Sequence, residues 1–391
     1  MCRANVIVAA LTVCAVATLT GGIGHTLEAA TKRNRVLHLP EEPFRYGELP
    51  HHFQNPSVRR LDNTPPANPI TDAGATLGRV LFYDTRLSIN NTTSCSSCHV
   101  QRYAFSNAPR RVSTGHRRQR TDRNSPSLVE TRFVRNGRLF WDQRAASLED
   151  QVLMPIESPI EMGHDLTNAV AALHVVPEYH DLFTNAFGDP RVTEDRVARA
   201  LAQFVRAMLS HESRYDEGLA RGFGRDDPFP HFSRRENAGK ALFMQRCATC
   251  HMPAGQDAVF SPSNAHNIGL DPGLDVRDLG VADVTFDPSD AGRFRSPSLR
   301  NIELTAPYMH DGRLRSLEAV VEHYSTGIHQ HPNLDRRLRG RAAQRVQRGS
   351  TRGFNFSPTE KAALVAFLKT LTDRNFIRDE RFADPFAAPT R

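Results

Sequence analysis

Two five-residue stretches constrain this chain more than anything else in it: Cys95-Ser96-Ser97-Cys98-His99 and Cys247-Ala248-Thr249-Cys250-His251. In C-x-x-C-H the two thiols form thioethers to the vinyl groups of a haem, and the adjacent histidine falls under the iron as an axial ligand. One such match could arise by chance. Two matches, using every cysteine except Cys2 and Cys14 near the start, are hard to explain otherwise. The competing reading, a pair of zinc knuckles, needs four ligands per ion, and neither motif has a second Cys/His pair at zinc spacing. The chain is therefore expected to carry two covalently bound haem c groups on Cys95, Cys98, His99 and on Cys247, Cys250, His251.

At 391 residues and 43.7 kDa the chain exceeds one ordinary domain, and the spacing of the motifs suggests one haem domain each. No cysteine is left over for a disulfide framework. The first 30 residues read as an export signal: Arg3 gives a positive start, Val6 to Thr20 an apolar run, and small residues follow before His25. That run is shorter than the ~20 residues a spanning helix needs, and an uncleaved membrane anchor is the alternative. Leu11-Thr12-Val13-Cys14 resembles a lipobox only loosely, because Val13 is bulky. Export agrees with the cofactor, so the expected location is periplasmic. The net charge of +7 could attract an acidic redox partner or an anionic membrane. The charge is spread rather than blocked, and aromatics are not interleaved with it, which argues against a nucleic-acid groove.

Periodicity indicates an all-α fold with long loops and no convincing strand alternation. Leu77, Val80 and Leu81 mark a helix from about Asp72 into the first motif. Ser233-x-x-Glu236 is a capping-box pattern before the second. Val197, Leu201, Phe204, Val205 and Met208 form one apolar stripe over 193–210. A last helix opens with Ser357-Pro358-Thr359-Glu360. The chain also repeats itself. Gly78-x-x-Leu81-Phe82 returns as Gly239-x-x-Leu242-Phe243, and Arg123-Asn124-Ser125-Pro126-Ser127-Leu128 as Arg295-Ser296-Pro297-Ser298-Leu299. Phe140-Trp141-Asp142-Gln143-Arg144 with Ser147-Leu148-Glu149 returns as Met309-His310-Asp311-Gly312-Arg313 with Ser316-Leu317-Glu318. Echoes in one order are an internal duplication. The expected organisation is a signal or anchor at 1–30, an extended arm at 31–70, haem domains at 71–225 and 226–375, and a tail at 376–391.

Over about residues 70–375 the chain resembles the bacterial di-haem cytochrome c peroxidase and MauG family. The likeness rests on the two haem motifs, Phe-Trp-Asp-x-Arg-Ala at 140–145, Ser-Pro-Ile-Glu-Met at 158–162 and Leu-Thr-Ala-Pro-Tyr-Met-His-Asp-Gly at 304–312. The resemblance implies that Glu161, twenty residues after Trp141, transfers protons in peroxide cleavage, and that Gln151, ten residues after Trp141, hydrogen-bonds the peroxide. Alone, Glu161 would read as an exposed loop carboxylate. Trp141, the single tryptophan, would alone read as a core aromatic; the family has it between the haems as an electron relay, and its duplicate is His310. Fourteen residues beyond His310 stands Tyr324, where the peroxidases usually have Met and MauG-like proteins Tyr. Met309 and His323 are alternative iron ligands there. The duplicate of Tyr324 is Pro155, which has no ligating atom, so the first haem is expected to keep an open face and the second to be closed.

Gly115-His116-x-x-Gln119 resembles the peroxidase segment that supplies a removable histidine to the first haem, against the alternative of a solvated histidine in an arginine-rich loop. The resemblance also implies one calcium ion, held by the Asn124 side chain and the Thr305 and Pro307 carbonyls; oxygen donors suit Ca²⁺. The implied activity is reduction of hydrogen peroxide with electrons from a small donor, a cytochrome c or cupredoxin. The alternatives are MauG-like oxidation of a partner protein and a non-catalytic electron carrier. A second copy of the chain is a candidate partner.

Overall fold

The apolar stripes read from the sequence become helices packed in pairs. The structure, a computed structural model, describes residues 36–252, 257–261, 264–272, 277–339 and 353–386. Residues 1–30, read from the sequence as an export signal, lie outside the described residues. Helices of seven residues or more are, in chain order, α1 (Asp72–Tyr83), α2 (Leu148–Glu157), α3 (Leu166–His174), α4 (Pro177–Phe187), α5 (Glu194–Ala207), α6 (Arg214–Ala220), α7 (Arg234–Arg246), α8 (Leu317–Thr326) and α9 (Pro358–Lys369). Their starts follow the sequence chemistry. The Thr71 hydroxyl accepts from the Gly74 N–H, and Ser233 with Glu236 and Ser357 with Glu360 close reciprocal capping boxes. The strand content among the described residues is a two-residue antiparallel ladder, β1 (Ala265–His266) against β2 (Phe294–Arg295). The fold is all-α.

The duplication is visible in the packing. In the first half α1 crosses α5; in the second, α7 crosses α9. Each crossing has a glycine in close contact with the partner helix. A Cβ on Gly78 would lie 1.9 Å from the Ala200 carbonyl oxygen, and one on Gly239 would lie 1.9 Å from that of Ala363. A side chain at either position would force the helices apart. The turns holding Trp141 and His310 also match: a Leu139–Ala145 bridge answers a Tyr308–Leu314 bridge, and Phe140 and Met309 both take positive φ, 67° and 76°. Ser147 then caps α2 as Ser316 caps α8.

Each half buries its own core. Leu77, Leu81, Phe82, Phe105, Leu201 and Phe204 fill the first, and Tyr215, Phe243, Phe260, Leu364, Phe367 and Leu371 the second. Each such side chain contributes about 1.5–3 kcal/mol when fully buried. Residues 36–70 are not a free arm. Their single turns His51–Phe53 and Pro56–Arg59 bring Phe53, Val58 and Leu61 into a further cluster with Phe133, Leu209 and Val259. The far end of the chain also packs inward. Phe376 and Phe382 join the first core, the Tyr83 hydroxyl donates to the Phe382 carbonyl at 2.7 Å, and Arg79 Nε donates to that of Ala383. Apolar side chains outside the periodic helices are thus buried by partners distant in the sequence.

A buried charge cluster ties these pieces together. Arg300, with no exposed surface, donates to Glu130 from the first half, to both oxygens of Asp216 on α6 and to the Ala258 carbonyl. His52 lies 3.1 Å from Asp216. Desolvation works against the guanidinium, but the two carboxylates hold it charged well above its ordinary value.

Candidate active site

A first cavity of about 2170 Å³, counted out to its mouth, is lined by His99, Trp141, Gln151, Pro155 and Glu161 among others. His99 follows the single helical turn Cys95–Cys98, which a Ser94–Ser97 capping box closes. Its Nδ1 lies 2.8 Å from the Phe105 carbonyl oxygen, a contact that fixes the tautomer and leaves Nε2 for a metal. α2 puts Gln151 and Pro155 one turn apart on one face, and Pro155 has no N–H to give the Gln151 carbonyl. Glu161 stands in the turn after α2, its N–H donating to the Ser158 carbonyl at 3.1 Å. Burial pushes its carboxyl above the ordinary range, against the opposing charge of Arg144. Arg144 itself sits 3.6 Å over the Phe140 ring and bonds Asp142.

His116 is near this cavity in the fold but is not among its lining residues. Its N–H donates to the Glu161 carbonyl at 2.8 Å, and its ring lies on Gly163, where a Cβ would come 2.4 Å from Cε1. Its Nδ1 is buried with no hydrogen-bond partner.

The second cavity, of about 1510 Å³, is lined by Cys247, His251, Met309 and Tyr324 together with apolar side chains of the second core. Burial pushes the His251 imidazole down to about 4, helped by the nearby charge of His266, so it is neutral, the form that ligates iron. Its Nδ1 is buried and unpartnered. Tyr324 projects from α8, and burial raises its hydroxyl above the ordinary value. His323 turns elsewhere: its Nε2 is 3.1 Å from the Ile268 carbonyl oxygen, and it does not line the cavity.

Each cavity is lined by the histidine of a C-x-x-C-H motif. Cys95, Cys98, Cys247 and Cys250 are free, and burial pushes Cys95 and Cys247 up to about 12. Paired free thiols, a neutral histidine and an adjoining cavity fit a thioether-linked haem in each half.

Asn124, Trp141, Asp278, Arg295 and His310 line both cavities and form the wall between them. Trp141 Nε1–H donates to the Asn124 carbonyl at 2.8 Å, and the Asn124 N–H donates to the His310 carbonyl at 2.7 Å. His310 stacks on Phe294 with 3.6 Å between centroids. Arg123 crosses the wall to Asp142 and Asp278. Asn124, Thr305 and Pro307, the three residues expected at a calcium ion, all line the second cavity. Among the described residues no cluster of three or more His, Cys, Asp or Glu could hold a metal.

Two participants went unnoticed in the sequence. Arg144, inside the quoted Phe-Trp-Asp-x-Arg-Ala stretch, acts on Glu161, and Arg295, inside the duplicated Arg-Ser-Pro-Ser-Leu run, reaches both cavities. The repeated motifs held both signals.

Comparison with known proteins agrees with this arrangement. A family profile described as di-haem cytochrome c peroxidase matches residues 72–222, and one described as cytochrome c matches 237–372. The methylamine utilization protein MauG of Methylorubrum extorquens is 36% identical over 313 residues, covering 78% of this chain and 80% of that protein. The cytochrome c551 peroxidase of Nitrosomonas europaea is 32% identical over 304 residues, covering 76% and 79%. The crystal structure of a MauG-like protein associated with microbial copper homeostasis superposes with a TM-score of 0.70 at 34% identity, covering 83% of this chain and 97% of that one.

Proposed function

The chain belongs to the di-haem cytochrome c peroxidase and MauG family, and we propose that it reduces hydrogen peroxide in the periplasm with electrons from a small redox protein. It is an oxidoreductase of the peroxidase type, with two haem c groups. The observation that carries this reading is the pairing of Gln151 and Glu161 in the cavity of His99, across one shared wall from His251 and Tyr324.

When bound, the haem of the first cavity would supply the iron at which the peroxide O–O bond breaks, and the second would pass on electrons from the small redox protein. Glu161 would take a proton from one peroxide oxygen and return it to the other, which leaves as water; two electrons from the donor and two protons from solvent would complete reduction of the remaining oxygen to a second water. Its raised carboxyl value suits both halves of that transfer, because a general acid–base works best with a value nearer the working pH. The Gln151 amide orients the peroxide by hydrogen bonding. Pro155 adds no ligating atom to the first cavity, while Tyr324 would offer the second site a hard oxygen donor. Trp141 lies on the route between the two. Asn124 with the Thr305 and Pro307 carbonyls would bind one calcium ion at the wall. Among the described residues no helix is long and apolar enough to cross a membrane.

Glu161→Gln tests the assignment. Peroxide turnover should fall by about 10²- to 10⁴-fold, the usual contribution of a general acid–base, with both haems still attached. Full turnover would refute the role of Glu161.

A second reading, MauG-like oxidation of a partner protein, is favoured by the seating of His116 on Gly163 outside the cavity lining. A first haem free of that ligand would react with peroxide without prior reduction. Mixing peroxide with the fully oxidised protein in a stopped-flow spectrometer decides: an immediate spectral change supports this reading, and a requirement for one-electron reduction supports the peroxidase with a removable His116.

A further inference from the structure

Among the described residues Arg295 is a cation buried without a partner acid. It ends β2, is 8% exposed and lines both cavities. The main chain fixes it there, because its N–H donates to the Trp141 carbonyl at 2.8 Å. The guanidinium is poorly matched by protein. Nη1 makes one long contact, 3.4 Å to the Ser296 carbonyl oxygen, and Nε is buried with no acceptor. Burial alone pushes the group down to about 10.

Its neighbours show what is missing. Arg123 at the same wall has Asp142 and Asp278; Arg313 has Asp271 and Asp311; Arg300 has Glu130 and Asp216. Among the described residues no carboxylate stands within ion-pair distance of Arg295. The two acids lining both cavities are already engaged, Asp278 through both oxygens by Arg123 and Asp271 through both oxygens by Arg313. A buried guanidinium left without an anion is strongly unfavourable, and its planar fork matches a carboxylate. Whatever fills the cavities can supply that anion. A haem brings two propionate carboxylates, and no other part of a haem c is anionic.

We propose that Arg295 holds a propionate of the haem in the second cavity, and that this charge pair sets the potential of the His251 site. The second cavity is chosen because the whole run Phe294 to Leu299 lines it, whereas the first is reached by Arg295 alone of that run. The proposal rests on the haem reading of the two motifs. Pairing cancels a negative charge close to the iron, which favours the reduced state. Losing the guanidinium shifts the equilibrium toward the oxidised state.

Spectroelectrochemical titration of the holoprotein and of Arg295→Gln and Arg295→Lys tests this. The glutamine variant should shift the oxidised/reduced equilibrium of the second haem at least tenfold toward oxidised, about 59 mV for one electron. The lysine variant, which keeps the charge, should stay within threefold. Where the glutamine variant does not accumulate, the lysine variant carries the test, and a tenfold shift there overturns the pairing. So does a glutamine variant that titrates like the parent with two haems attached. Mass spectrometry showing no covalent haem would overturn both this proposal and the reading beneath it.

Discussion

The indole of Trp141 faces the imidazole of His310 edge to face, with 6.5 Å between ring centroids and 71° between planes. The two residues occupy duplicated positions, so the two halves meet at equivalent points of their own folds. The peptide of Asn124 clasps both, accepting from the indole and donating to the carbonyl of His310.

Trp141→Phe keeps a ring in this position but removes its N–H and its readily oxidised π-system. Electron transfer between the haems should slow at least tenfold, measured by rapid mixing of the half-reduced protein with peroxide. Stability should fall by about 1–3 kcal/mol, because the buried Asn124 carbonyl loses its donor. An unchanged transfer rate would remove Trp141 from the route.

Tyr324→Met replaces a hard oxygen donor with a soft thioether and should raise the potential of the second haem. Tyr324→Phe should change its spectrum, since the phenol oxygen is removed from that cavity and His323 is turned toward Ile268. If both substitutions leave spectrum and potential unaltered, another side chain is the ligand.

The Glu149 carboxylate, in the first turn of α2, receives two hydrogen bonds from Arg206, at 2.6 and 2.8 Å, and one from Asn68. Burial alone would raise its carboxyl value, but the Arg206 hydrogen bonds and charge hold it below the ordinary range. A depressed folded-state value stabilises the fold above the unfolded value, and that contribution is lost as pH falls through the folded one. At pH 7 Glu149→Gln should cost about 2 kcal/mol. Urea unfolding should show the variant and the parent converging as the pH drops below the ordinary carboxylate range. A difference that stays constant with pH would exclude this linkage.

Arg300→Met leaves Glu130 and Asp216 buried without a counter-charge. The loss should be about 3–5 kcal/mol, read as an earlier thermal transition. Adding Glu130→Gln and Asp216→Asn should restore part of it, because the stranded charges are then gone. A single substitution that unfolds with the parent would mean that water reaches the cluster.

Much of this was legible from residue types at fixed spacing. The motif cysteines, the capping boxes and the matching turns at Trp141 and His310 are local, so local chemistry predicts them. Gly78 and Gly239 were visible as echoes, although their reason, a carbonyl of another helix at contact distance, is a tertiary fact. His116 marks the limit of spacing arguments. The sequence puts it near the first site, but its ring direction is set by Gly163, far along the chain. Arg295 and Arg123 belong to the same repeated run, yet among the described residues Arg123 is paired with acids and Arg295 with none. Tyr46, Phe53, Phe376 and Phe382 escaped a periodicity search because they lie in turns, where burial has no fixed period.

The seating of Phe376 and Phe382 in the first core orders events during folding. The first haem motif comes early in the chain, but the ring contacts Phe105–Phe376 and Phe204–Phe382 wait for residues beyond the second haem domain. The first half therefore cannot be completed from its own segment alone, and its core stays uncapped until the chain past the second half has returned to it.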